Sequence, residues 1–190
     1  MSDTAKAEGT TWVVLLRGIN VNPTTRVAMA DLRSLLAGLG YGDVRTLLQS
    51  GNVLLSSPQR PSVGPIESAI AAQTGVRSRV IVLSLREFSA IATANPLLDV
   101  SADEPRVDLS KLVITFFGGD IVPAEVERPS DADLSPERLV IRPRAIYQWC
   151  PQGILQSELT PAWWRQFGPV ATTRNVRTVN RLLAAAAAAA

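Results

Sequence analysis

Arginine and asparagine occur together in two polar segments of this sequence, at residues 17–20 and 172–175. A guanidinium group binds a phosphate or carboxylate through two parallel hydrogen bonds, and a neighbouring amide or hydroxyl can orient the same group. These residue types predict binding of an anion. The residues expected to contact the anion are Arg17, Asn20, Thr173, Arg174 and Asn175.

A third polar segment, Gln-Ser-Gly-Asn, adds Ser50 and Asn52 to this predicted ligand-binding set if its turn lies next to Arg17. The alternative is that the segment serves the turn alone, because glycine and asparagine adopt the positive φ values of tight hairpins. Arg17 has its own alternative without a ligand: it can pair with an acid such as Asp31 while Asn20 stabilises a turn.

In the C-terminal segment we expect Thr173 to cap the last helix, which places Arg174 in the first turn of that helix. A cation there opposes the helix macrodipole, so helix stability does not explain Arg174. An anion bound at the helix N-terminus would explain it. The alternative is a salt-bridged surface stripe of Arg174, Arg177 and Arg181, which fall at positions i, i+3 and i+7.

The composition excludes several kinds of chemistry. The chain has no histidine and one cysteine, Cys150, which excludes serine–histidine and cysteine–histidine catalysis, disulfides within the chain and multi-cysteine metal sites. We expect no metal and no cofactor, and we interpret Cys150 as structural. The formal net charge of +2 is unevenly spread, since residues 138–190 carry seven arginines and one carboxylate.

No apolar signal-peptide core follows the polar N-terminus, and apart from the alanine-rich end no run of about 18 apolar residues exists. The sequence therefore predicts a cytoplasmic protein without a membrane span. The alanine run at residues 184–190 is expected to extend a terminal helix.

The spacing of apolar residues predicts the helices and strands that flank the polar segments at residues 17–20 and 49–52. Helical spacing at residues 32–39, short apolar runs and a Ser84/Glu87 capping box give the order β-α-β-β-α-β-α over residues 12–95. This order predicts a ferredoxin-like lobe. The strands are predicted at residues 12–16, 44–48, 53–55 and 79–83, and the second helix is predicted to begin at Pro65.

An acidic, proline-containing linker is predicted at residues 96–111, followed by a smaller lobe at 112–190 with the order β-α-β-β-α-α. Its strands are predicted at residues 112–117, 138–142 and 145–149, and Thr160 is predicted to cap a helix that contains Trp163 and Trp164. Tyr147 and Trp149 share one strand face and either stack on nucleic-acid bases or form a half-buried face. The predicted fold class is α+β, with two ferredoxin-like (α-β plait) lobes, antiparallel sheets and helices on one face.

The polar segments and their flanks resemble the bacterial domain of unknown function 1697 family. The matching motifs are VLLRGINV at 14–21, MADLR at 29–33, QSGNV at 49–53 and TTRNVRTV at 172–179. The resemblance covers residues 12–183 and implies two plait-like lobes without an established activity. The chain departs from the family at residues 22–26, which lack its usual glycines and lysine, and at Glu158, which stands where the family has a lysine.

These observations support three alternative functions. The leading hypothesis is binding of a phosphate-bearing small molecule or nucleic acid between the lobes. The second is a histidine-independent enzyme acting on a phosphorylated or carboxylated substrate, with a carboxylate such as Asp31 as base. The third is a protein–protein adaptor that uses the arginine stripe as its interface.

Overall fold

A computed structural model describes residues 9–98, 108–168 and 171–188 of the chain. The predicted linker falls largely on residues 99–107, which lie outside the described part. The chain divides into two compact units. One boundary lies between Phe88 and Ser89 within a helix, and the other lies near the end of the last helix, since Ala186 and the residues after it belong to the first unit. The sequence instead predicts that the first lobe ends at residue 95.

The first unit contains a four-stranded antiparallel sheet with the strand order β2-β3-β1-β4. Its elements are β1 (Thr10–Arg17), α1 (Met29–Gly38), β2 (Gly42–Leu47), β3 (Asn52–Ser57), α2 (Val63–Thr74), β4 (Arg79–Ser84) and α3 (Leu85–Thr93), which crosses the unit boundary. The predicted order of elements is confirmed. The capping box is confirmed as well, since the Ser84 N–H donates to Glu87 Oε2 (2.7 Å) and the Glu87 N–H to Ser84 Oγ (3.1 Å). The predicted start of α2 at Pro65 is wrong, because the helix begins at Val63.

The second unit repeats this arrangement in a sheet with the strand order β6-β7-β5-β8. Its elements are β5 (Leu112–Phe117), α4 (Asp131–Leu134), β6 (Arg138–Arg142), β7 (Ala145–Trp149), α5 (Pro161–Trp164), β8 (Ala171–Asn175) and α6 (Val176–Ala187). Thr160 caps α5 as predicted, through a hydrogen bond from the Trp163 N–H. Strand β8 was not predicted, and with it the element order matches that of the first unit.

The missing strand corrects the prediction that Thr173 caps the last helix. Thr173 lies within β8, opposite Thr115 of β5. The side chain that caps α6 is Asn175, whose Oδ1 accepts a hydrogen bond from the Thr178 N–H (2.9 Å). Hydroxyl and amide residues are typical both of caps and of strand ends, so this segment was ambiguous in the sequence.

Each unit has an apolar core on one side of its sheet. In the first, β1 and β3 pack against Leu36 of α1 and Ile66 and Ile70 of α2, all fully buried. In the second, Phe117 of β5 packs with an aromatic group that includes Phe167 and the partly buried Trp163 of α5. None of the described helices is both long enough and apolar enough to cross a membrane.

Side chains close the outer edge of β4. The Val80 N–H donates to Glu67 Oε1 (2.9 Å), and Arg60 donates to the Val82 carbonyl (2.6 Å). Paired groups on an edge strand cannot template the addition of another strand. Glu67 also forms a salt bridge with Arg79 (3.0 Å), which fixes a carboxylate at the first residue of β4.

Candidate functional site

The four predicted contact residues of the N-terminal half lie at one end of the first sheet; they are Arg17, Asn20, Ser50 and Asn52. Strand β1 ends there at Arg17, and the turn before β3 lies beside it, because the Leu16 N–H donates to the Gly51 carbonyl (2.8 Å). Asn20 Nδ2 reaches the same turn through the Gln49 carbonyl (2.7 Å). The turn therefore lies next to the Arg17 segment, which is the condition on which a shared site depends.

Asn20 holds two loops together. Its Nδ2 donates to the carbonyls of Val27 (3.0 Å) and Gln49, and its Oδ1 accepts from the Val27 N–H (2.8 Å). Its φ of 55° lies in the left-handed region, which asparagine tolerates better than most residues. Both amide donors are used within the protein, so Asn20 positions the loop that carries residues 21–27.

Asn52 and Ser50 belong to the turn itself. Asn52 is fully buried, and its Nδ2 donates to the Leu47 carbonyl (2.9 Å) and to Ser50 Oγ (2.9 Å). Gly51 has a φ of 74°, and an added Cβ there would lie 2.7 Å from Leu16 Cβ. Turn geometry accounts for both Gly51 and Asn52, so Asn52 supports the site and does not line it.

These loops enclose a cleft of about 540 Å³. Arg26, Asn22 and Gln49 bring polar side chains to its wall, and Ala28, the N-cap residue of α1, contributes the adjoining surface. The Arg26 guanidinium is exposed, and no carboxylate of the described residues lies within salt-bridge distance of it. Arg26 is not among the predicted contact residues, because it lies where the chain departs from the family resemblance. The sequence offered one signal for this residue, which is an arginine without an explained role just before the start of a helix.

The three C-terminal contact residues lie in β8 of the second unit. Successive side chains of a strand point to opposite faces, so Arg174 does not share a face with Thr173 and Asn175. Thr173 Oγ1 lies 2.7 Å from Thr115 Oγ1. The predicted placement of Arg174 at a helix N-terminus is therefore wrong.

Arg174 is buried, with 8% of its surface exposed, and its Nη1 donates to Thr172 Oγ1 (2.8 Å) and the Thr173 carbonyl (2.8 Å). Burial lowers the pKa of Arg174 to about 10, so the side chain is charged at neutral pH. Arg177 lies in α6 and pairs with Asp108 (2.9 Å). The predicted stripe of three arginines on one helix is corrected accordingly, since its first member is a strand residue.

A buried carboxylate in the second unit was not predicted. Glu137 is 8% exposed, and its Oε1 accepts from the Glu158 N–H (2.9 Å). Its Oε2 accepts from Gln148 Nε2 (2.6 Å) and Ser157 Oγ (2.9 Å). All of these donors are neutral, and together they fix the segment after β7. The Glu158 side chain is exposed, and only the backbone N–H of this residue contacts Glu137. Residue 158 is a position at which the chain departs from the family.

The remaining candidates of the second unit are part of its interior. Tyr147 is 2% exposed and donates to the Ile91 carbonyl (2.8 Å), so it is not a platform for base stacking. Cys150 is buried, and desolvation, with a smaller effect of Glu137, raises the pKa of its thiol to about 12. This agrees with the interpretation of Cys150 as structural. Among the described residues, no group of three carboxylate or thiol side chains could hold a metal ion.

Two successive sheets with the same strand order, each crossed by helices, define an α+β protein with two ferredoxin-like lobes. The chain belongs to the family described as protein of unknown function (DUF1697), whose model matches residues 10–147. The motif at residues 172–179 lies beyond that match. No curated protein matches the chain.

The fold has a counterpart among solved structures. The chain is similar to the conserved bacterial protein SP0830 from Streptococcus pneumoniae, with 23% sequence identity and a TM-score of 0.65. The similarity covers 91% of this chain and 96% of that one. At this level of identity the similarity supports the fold alone.

Proposed function

We propose that the first unit binds a small phosphate-bearing or other anionic ligand in the cleft beside Arg26. The observation that carries the proposal is the exposed Arg26 guanidinium, which has no carboxylate partner within the described residues and opens onto a cleft of about 540 Å³. Clefts that bind small ligands typically enclose about 300–1,000 Å³ and present a few polar groups.

The start of α1 supports an anion in this cleft. Its N-cap residue is Ala28, which has no side chain able to accept a hydrogen bond from the first turn. Backbone N–H groups at an uncapped N-terminus favour negative charge, and the helix macrodipole adds to the effect. Asp31 in the first turn opposes a second negative charge there, so its charge should limit the affinity.

The proposal changes the role of each residue predicted from the sequence. Asn20 and Asn52 position the loops of the cleft, since their amide groups are bonded within the protein. Arg17 and Ser50 lie at the same end of the sheet, and both residues are exposed. Arg26 takes the ligand-binding role.

The proposal is tested by thermal unfolding with inorganic phosphate and with ADP, using the wild type, Arg26→Gln and Ala28→Asp. A ligand at 100 times its dissociation constant stabilises a protein by about 2.7 kcal/mol. We expect that stabilisation in the wild type and its loss in Arg26→Gln. Ala28→Asp should stabilise the ligand-free protein by about 1 kcal/mol through a new helix cap, and should weaken binding because its carboxylate occupies the anion position.

Arg86→Gln is the matched control, because Arg86 is an exposed arginine of the same unit in α3, beyond the far end of β4. It should respond to ligand as the wild type does. Equal stabilisation of the wild type and Arg26→Gln would contradict the proposal, as would the absence of any response to either ligand.

A further inference from the structure

We infer that the cleft beside Arg26 takes the monophosphate of a sugar or of another polyhydroxylated carbon skeleton. The inference rests on the proposed function and narrows its ligand from an anion in general to one chemical class. Three properties of the cleft wall carry it: the amide groups that have no partner in the protein, the types of side chain that line the wall, and the charge of the wall.

Two amide side chains bring unused hydrogen-bonding groups to the cleft wall. Gln49 is exposed, and its side-chain amide has no hydrogen-bond partner among the described residues. Asn22 Oδ1 accepts from the N–H groups of Thr24 and Thr25 (3.0 Å each) and from Thr24 Oγ1 (2.7 Å), which fixes the orientation of this amide. Within the described part of the chain, Asn22 Nδ2 is left without an acceptor. Hydroxyl groups both accept and donate hydrogen bonds, so they complement the two amides.

The other side chains of the wall favour a hydroxylated skeleton over an aromatic one. None of the described residues that line the cleft is aromatic. A nucleobase would consequently lack the stacking platform that usually supplies its affinity. Val21, which is 72% exposed, and Pro23 provide apolar surface against which the C–H groups of a sugar can pack.

The charge of the cleft suits a single phosphate group. Arg26 is the only charged side chain among the described residues of the wall, and its guanidinium can donate two parallel hydrogen bonds to one phosphate. Asp31 lies in the first turn of α1, and its carboxylate repels further negative charge. A second or third phosphate would therefore meet no additional cation, so a monophosphate matches the wall best.

Isothermal titration calorimetry of the full chain tests the inference with ribose 5-phosphate, phenyl phosphate and inorganic phosphate. The first two probes are both phosphate monoesters, but only ribose 5-phosphate carries hydroxyl groups. We expect the wild type to bind ribose 5-phosphate about tenfold more tightly than phenyl phosphate, because each of the two amides adds a hydrogen bond to a hydroxyl group. Inorganic phosphate should bind no more tightly than phenyl phosphate.

Gln49→Met separates recognition of the hydroxyl groups from binding of the phosphate. Methionine keeps the length of the side chain and removes its amide, so the preference for ribose 5-phosphate over phenyl phosphate should fall about fivefold. The affinity for inorganic phosphate should not change. Gln73→Met is the matched control, because Gln73 is an exposed glutamine of α2 outside the cleft wall. It should bind every probe as the wild type does, and circular dichroism checks that both variants are folded.

Arg26→Gln distinguishes failure of the inference from failure of the proposed function, because it should weaken the binding of all three probes. The inference alone is overturned if the probes bind in an Arg26-dependent manner but ribose 5-phosphate binds no more tightly than phenyl phosphate. It is also overturned alone if Gln49→Met keeps the full preference. If none of the probes binds, or if Arg26→Gln binds them as the wild type does, the inference and the proposed function both fail.

Discussion

The two units share the same order of helices and strands, yet they place their charged groups differently. Within the described residues, the buried charged side chains are Glu137 and Arg174, and both belong to the second unit. The first unit buries Asn52 and Ser78, which carry no charge, and leaves its described arginines exposed. The same topology therefore supports a charged interior in one unit and a charged surface in the other.

The difference follows from the hydrogen-bond donors and acceptors that each loop presents. The loops at the end of the first sheet present both donors and acceptors, and an asparagine amide satisfies both kinds without a net charge. The segment after β7 presents several donors to one point, and an ionised carboxylate accepts all of them. The described arginines of the first unit are exposed, and one of them, Arg26, lines the proposed cleft site.

The largest effect is expected from removing the buried carboxylate. Glu137→Ala removes the acceptor of Ser157 Oγ and of the Glu158 N–H, and one of the two acceptors of Gln148 Nε2, which keeps Ser157 Oγ. A buried donor that loses its acceptor costs about 1–3 kcal/mol, so with several donors affected the free energy of unfolding should fall by about 3 kcal/mol. Urea unfolding measures the change.

Glu158→Ala is the control for this variant, because it removes an exposed carboxyl group and keeps the backbone donor. It should change the free energy of unfolding by less than about 0.5 kcal/mol. If Glu137→Ala were as mild as its control, the carboxylate would not organise the segment after β7 and the contrast between the units would fail.

In the first unit, the turn between β2 and β3 depends on a glycine, Gly51. Gly51→Ala places a Cβ 2.7 Å from Leu16 Cβ and 2.9 Å from Ile19 Cδ1, at a φ of 74°. The left-handed conformation costs about 1–2 kcal/mol, and overpacking adds about 1–3 kcal/mol. We expect a loss of about 2–4 kcal/mol by urea unfolding, together with weaker binding of phosphate because the turn shifts.

Gly38→Ala provides the matched control, since an added Cβ in α1 meets no atom within 4 Å. It should stabilise the protein by about 0.5–1 kcal/mol, because alanine is the better helix former. If both variants lowered the free energy of unfolding by a similar amount, the positive φ and the close packing at Gly51 would not be the cause of the loss.

Local sequence patterns predicted most of the fold. The predicted strands at residues 112–117, 138–142 and 145–149 coincide with β5, β6 and β7, because their apolar runs are bounded by turn residues. Strand β8 was missed because Thr, Arg and Asn carry no strand periodicity and only the register with β5 defines it. The helix predicted between the first two strands of this lobe, at residues 123–127, is a 3₁₀ turn at Pro123–Glu125, and the α-helix α4 follows it at Asp131–Leu134.

The candidate site was less predictable, because hydrogen-bond partners distant in sequence decide the role of a polar residue. Asn20 was expected to orient a ligand, but its amide group bonds to Val27 and Gln49. Arg174 was expected at a helix start, but lies buried in β8. Spacing revealed that polar residues gather near the ends of β1 and β3; it did not reveal which of them are already bonded.

A smaller effect tests the corrected boundary between β8 and α6. Asn175→Ala removes the oxygen that accepts from the Thr178 N–H, and loss of a helix cap costs about 1 kcal/mol. Circular dichroism with thermal unfolding measures it. Arg177→Gln is the comparison, because it removes an exposed ion pair with Asp108 while leaving the cap intact, and an exposed pair contributes less than a helix cap. An unaffected Asn175→Ala would mean that another group caps α6.

The smallest effect concerns Cys150 and appears only in alkaline solution. Burial raises the pKa of its thiol from 9.0 to about 12, so above pH 9 the unfolded chain loses a proton that the folded protein keeps. The free energy of unfolding should therefore fall as the pH rises, by about 1 kcal/mol between pH 8 and pH 10. Cys150→Ala should lack this component, so urea unfolding of the two proteins should diverge at pH 10 and stay parallel between pH 6 and pH 8. Since desolvation is the larger cause, Glu137→Gln should retain most of the divergence, and its complete loss in that variant would place the cause in the charge of Glu137.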